Sequence, residues 1–84
     1  MKATLVLQPD HAPERRFRLE PRSEGPGSQS GFKVHPASVL KLLDGEVFKD
    51  LRDVLGARIE TDDVRSAAEI LQLGEDRSGL VPVR

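Results

Sequence analysis

Hydrophobic and polar residues follow two different periods along this chain, and the change between them divides it into strand-like and helix-like parts. Thr4–Gln8 is short, aliphatic and partly β-branched, and reads as a strand. Pro9-Asp10-His11-Ala12-Pro13 is turn chemistry, because each Pro fixes φ and removes a ladder donor. Over Arg15–Glu20, Phe17 and Leu19 alternate with Arg16, Arg18 and Glu20, the period-two signature of a strand buried on one face. The two strands predict an N-terminal β-hairpin. Phe32 and Val34 repeat that spacing within Gly31–His35 and predict a short third strand. Between them, residues 21–31 hold three Gly, two Pro and three Ser. No apolar face exists there to offset the entropy of ordering, so a flexible loop is expected.

From Pro36 the spacing becomes helical. Val39, Leu40, Leu43, Val47, Leu51, Val54 and Leu55 fall on one stripe, with Phe48 at its edge. Pro36 suits a first helical position. Asp44 would interrupt the stripe, and Gly45 costs about 1 kcal/mol in a helix interior. The pattern therefore predicts a short helix to Leu43, a break at Asp44-Gly45, and a longer helix to Leu55, capped by Gly56. Ala57–Glu60 reads as a connector or a very short strand. Thr61 is the expected N-cap of a further helix whose apolar face is Val64, Ala67, Ala68 and Leu71, closed by Gly74. Gly79–Val83 is β-prone, but Pro82 confines it to an edge or an end.

These elements predict an α+β fold. Its small antiparallel sheet consists of the hairpin, the short third strand and a C-terminal strand, with two to three helices packed on one face. Residues 1–84 are expected to form a single small domain with its flexible loop at about 21–31.

Composition narrows what such a domain does. A chain of 84 residues buries only about 60% of its unfolded surface, and with three Phe and neither Trp nor Tyr it builds one modest aliphatic core. A deep, water-excluding active site is not expected beside it. Absence of Cys removes disulfides and thiolate metal sites. Docking on a partner or pairing into a homodimer becomes a natural source of added stability. No run approaches the roughly 18 apolar residues of a membrane helix. The apolar start is too short for a signal peptide and ends at Pro9, so a cytoplasmic protein with no membrane partner is expected. Residues 1–35 carry six basic and four acidic groups and residues 36–84 seven and ten, a mild dipole rather than a polyanion-binding charge.

Candidate chemistry is sparse. His11 lies in a Pro-rich turn and His35 precedes Pro36, without the paired spacing of a metal site. Ser38, His35 and Asp44 lack any nucleophile-elbow context. Gly25, Gly27 and Gly31 miss the dinucleotide fingerprint, and no Gly-Lys-Ser/Thr follows them. The pattern predicts no catalytic residue, no metal site and no cofactor, hence no enzyme.

Arg15, Arg16, Arg18 and Arg22 form the one basic cluster, and Glu46 and Asp50 mark an acidic helix face. Arg16 and Arg18 project together from a strand's solvent face, with Arg22 extending the row. Such a row grips acidic protein surfaces or phosphates, or simply deters strand-to-strand aggregation. Asp62–Leu73 followed by Gly74 resembles the first half of a helix-turn-helix. The acidic, Gly- and Pro-containing Glu75–Pro82 that follows is unsuited to a base-reading helix. The leading expectation is a non-catalytic protein-binding or regulatory module acting on a larger protein partner, such as a small accessory subunit, inhibitor or antitoxin-like protein. The alternative, ranked below it, is a nucleic-acid-associated regulator that contacts phosphates through the Arg-rich strand.

Overall fold

The structure, a computed structural model, describes residues 1–22, 31–37 and 40–83. Across these residues it is an α+β fold with one mixed sheet of six strands and two α-helices. The elements run β1 (Ala3–Leu7), β2 (Arg15–Pro21), β3 (Phe32–His35), β4 (Leu42–Leu43), α1 (Gly45–Leu55), β5 (Arg58–Thr61), α2 (Val64–Ile70) and β6 (Leu80–Pro82). Their order across the sheet is β4-β3-β2-β1-β5-β6. All pairings are antiparallel except β5 with β6, which is parallel and makes β5–α2–β6 a crossover unit. No helix among the described residues is long and apolar enough to cross a membrane.

The N-terminal hairpin and third strand form where period-two alternation predicts them. Leu5 lies opposite both Phe17 and Ile59, Leu19 opposite Ala3 and Val34, and Phe32 opposite Leu43, so each rung places apolar side chains on one face. Both helices cover that face, contributing Phe48, Ala67 and Leu71 to the buried cluster, with Val47, Leu51 and Ile70 packed against it. β2 continues through Pro21, and the Arg22 amide donates to the Gly31 carbonyl at 3.2 Å. The loop expected between them falls on residues 23–30, which lie outside the described residues.

Three expectations are corrected. The short helix from Pro36 to Leu43 does not form. Lys41 accepts a backbone hydrogen bond from Val34 at 2.9 Å, and Leu43 pairs with Phe32 as the outermost strand. Ser38 and Val39 of that stretch are outside the described residues. The i, i+3 spacing of Leu40 and Leu43 fits a helical stripe, but Leu43 alone is equally at home in a short edge strand, and tertiary pairing with β3 decides for the strand. Asp44 consequently caps α1, its carboxylate accepting from the Val47 amide at 2.9 Å, and the helix begins at Gly45. At the other end Gly56 takes the expected left-handed conformation, φ 61°.

The second correction concerns the extent of the sheet. Of the two readings of Ala57–Glu60 the very short strand holds, as Arg58–Thr61, and it lies between β1 and β6 with Ile59 and Thr61 buried. The sheet is therefore larger than expected, and mixed rather than antiparallel. The third is the cap of α2. Thr61 belongs to β5, and Asp63 takes the N-cap role by accepting from the Ser66 amide at 3.0 Å and the Ser66 hydroxyl at 2.8 Å. That helix ends at Ile70, with Leu71 as its C-cap, rather than being closed at Gly74.

Both sheet edges resist strand addition. On β6 the Gly79 carbonyl and Val83 amide bond to β5, so alternation turns Leu80 and Pro82 outward. The Leu80 amide is already held by the Arg77 carbonyl at 3.1 Å, and Pro82 has no amide hydrogen to offer. The opposite edge, β4, is only two residues long.

Candidate interaction surface on the open sheet face

One face of the sheet bears both helices; on the other, the described residues place side chains alone. Alternation along β1, β2, β3 and β5 sends Thr4 and Val6, Arg16, Arg18 and Glu20, Lys33 and His35, and Arg58 and Glu60 to this open face. Val6 lies between Arg16 on β2 and Arg58 on β5, yet it is 0% exposed. A lid of charged side chains accounts for that burial. Arg16 donates to Glu60 at 2.8 Å and to Glu14 at 3.0 Å. Arg58 reaches Glu60 at 3.2 Å, Gln8 at 2.8 Å and Glu14 at 3.3 Å. Two guanidinium planes, fixed by two shared carboxylates, cover the apolar side chain with their stems while their charged ends stay wet.

This network sets the protonation of its members. The hydrogen bond from Arg16 holds the Glu60 carboxyl below its ordinary value of 4.5; partial burial opposes it and Arg58 reinforces it. The Arg16 guanidinium is raised above its usual value, first by hydrogen bonding to Glu60 and then to Glu14. Asp63 is lowered by its bonds from Ser66, and Asp76 by those from Ser78. For all three carboxylates the unfolded chain binds protons more readily than the folded one. Their stabilisation is thus complete above the ordinary carboxylate values of 4.5 and 3.8, and is lost as pH falls through the lower folded values. Glu60→Gln is expected to make the melting temperature fall less steeply below pH 4.5 than in the unmodified chain. Parallel slopes would show that the network contributes nothing to acid sensitivity.

The basic cluster divides between two faces. Arg16 and Arg18 share the open face as alternation requires, but only Arg16 is tied down. Arg18 is exposed, lies opposite Thr4 and His35, and has no carboxylate partner among the described residues. His35 bonds instead to Glu20 at 3.1 Å. Arg15 turns to the helix-bearing side, its guanidinium 5.1 Å from the centre of the Phe17 ring. Arg22 follows the end of β2, joined through its amide to Gly31. Glu46 and Asp50 are exposed on α1, on the helix-bearing side of the sheet and away from Arg16 and Arg18.

Four contributors to the open face, Gln8, Glu14, Arg58 and Glu60, were not anticipated from the sequence. The alternation Arg58-Ile59-Glu60-Thr61 is the signal that could have found two of them. Among the described residues no group of three or more His, Cys, Asp or Glu side chains is placed to hold a metal ion. Asp44 is committed to capping α1, and Ser38 lies outside the described residues. No protein-family model, curated protein or solved structure matches the chain. Fold and surface together define a small α+β domain with one helix-covered and one open sheet face.

Proposed function

We propose that this protein is a non-catalytic binding or regulatory module that docks its open sheet face on an acidic surface of a larger protein partner. The observation supporting this reading is Arg18, an exposed guanidinium with no carboxylate partner among the described residues, set beside guanidinium groups that their own carboxylates already hold in place. A partner carboxylate placed over Arg18 completes the pairing pattern that Arg16 and Arg58 complete within the chain. Side chains fixed before binding lose little rotamer freedom on association, which favours affinity. Interleaved Glu14, Glu20 and Glu60 favour a protein partner of mixed charge over a polyanion, whose uniform negative charge they repel.

The two arginines of this face are expected to behave differently. Arg18→Glu should abolish capture of the partner in a pull-down from nuclease-treated lysate, with an almost unchanged melting temperature. Arg16→Glu should lower the melting temperature, because it opposes Glu60 and Glu14 and uncovers Val6. Undiminished capture by the Arg18 variant would remove this reading. Loss of every partner on nuclease treatment, with binding that weakens steeply in salt, would favour phosphate contacts through the same strand.

A further inference from the structure

On the helix-bearing side, β1, β2 and β3 do not meet α1 edge to edge. Leu7, Phe17, Val34, Leu40, Leu51 and Leu55 line an open apolar groove of about 310 Å³ between them. That is near the floor of the roughly 300–1,000 Å³ typical of small-molecule sites, and suits inserted side chains better than a sizeable ligand. Its two lips differ in charge. Arg15 stands on the sheet lip, stacked on Phe17 and without a carboxylate partner among the described residues. On the α1 lip, beyond Leu51 and Leu55, the helical period brings Val54, Asp50 and Glu46 to the surface. Val54 is 78% exposed, the most exposed large hydrophobic residue among the described residues. It also lines the neighbouring hollow together with Pro9, Asp10, His11 and Ala12, a surface of mixed polarity.

The chain thus carries, side by side on one face, an apolar knob flanked by acid and an apolar groove flanked by base. We infer that this face pairs with a second copy of the chain about a twofold axis, seating Val54 of each protomer in the groove of the other. The same operation sets Asp50 and Glu46 of each copy against Arg15 of its partner. A twofold interface is self-complementary, so every such contact occurs twice. The occupant follows from charge: an acidic helix flank is what the basic Arg15 lip accepts, and α1 supplies one next to an exposed aliphatic side chain. A domain of this size, with one modest core, also gains stability from burying that surface. The open sheet face is on the other side and remains accessible for the partner proposed above.

Sedimentation velocity of the full chain over a wide concentration range tests the pairing. The expected result is a reversible dimer that Arg15→Glu weakens by at least about tenfold, since two like-charge contacts are created at once. Val54→Lys should weaken it similarly. This residue is almost wholly exposed and a cation suits the C-terminal turn of α1, so circular dichroism should show an intact fold. The double variant Arg15→Asp with Asp50→Arg should restore the dimer. A monomer at every concentration, or a dimer indifferent to both single substitutions, would overturn the inference. Neither result touches the Arg18 experiment, so the two readings fail separately.

Discussion

Phe48→Ala is expected to destabilise the fold by about 3–5 kcal/mol, the largest effect of any single substitution considered for this chain. Phe48 is 0% exposed and is the only aromatic residue that the helices supply to the core. Its ring faces Gly79, so truncation opens a cavity between α1 and the segment leading into β6. The surrounding residues are poorly placed to refill it. Gly79 has no side chain, and Arg52 is held by the Ser78 carbonyl at 3.1 Å and by Asp76 at 3.7 Å. Domains of this kind have about 5–15 kcal/mol of stability in total, so the loss is a large share of it. At roughly 4–8 °C per kcal/mol for this length, the melting temperature should fall by more than about 12 °C. Thermal unfolding followed by circular dichroism is the check. A fall of only a few degrees would mean that α1 is not anchored through Phe48.

Gly45→Ala should also destabilise, by about 1–3 kcal/mol, although helix propensity alone predicts a gain of roughly 1 kcal/mol. Gly45 is the first residue of α1, and its Cα faces the end of α2. A Cβ there would collide with the Leu71 carbonyl oxygen and come within 3.3 Å of the Leu71 carbonyl carbon. Both are backbone atoms, so no rotamer change relieves the contact, and the two helices must move apart. Leu71 and Leu73 belong to the buried cluster, and their displacement would loosen the core as well. Urea unfolding of Gly45→Ala should show a lower midpoint. Lys49→Ala, exposed on the same helix, should stay within about 0.5 kcal/mol of the parent. A higher midpoint for Gly45→Ala would show that α1 and α2 do not approach closely at this junction.

Gly45 illustrates why local reading misled around the start of α1. Taken alone, Asp44-Gly45 is a poor helix interior and suggests a break between two helices. In the fold it is a helix beginning, with Asp44 capping Val47 and Gly45 admitting the backbone of α2. Leu40 and Leu43 before it have helical spacing, yet Leu42–Leu43 is the part that takes up structure, as a strand. Their assignment was settled by Val34 and Phe32, which supply hydrogen bonds and a pairing partner from another strand. β5 was obscured for a related reason. Only Ile59 in Arg58–Thr61 is a large apolar residue, and its strand character comes from neighbours on both sides, β1 and β6.

The candidate surface divides in the same way. Strict alternation in β2 was enough to place Arg16 and Arg18 on one face, because a strand's side-chain period admits no other arrangement once Phe17 and Leu19 are buried. It could not show that Arg16 is tethered by carboxylates while Arg18 has no carboxylate partner among the described residues. That difference depends on Glu60, which lies 44 residues away along the chain but is 2.8 Å from Arg16 across the sheet. The sequence by itself determined the hairpin, the inward and outward faces of β2 and β3, the extent of α1 after its first turn, and the edge position of the C-terminal strand. Each of these rests on contacts or backbone preferences within a few residues. Tertiary structure alone decided β4, the central placing of β5, the parallel β5–β6 pairing and the arginine–glutamate lid over Val6. In each case the deciding hydrogen bond or ion pair joins residues distant in sequence, and local patterning carries no record of the partner.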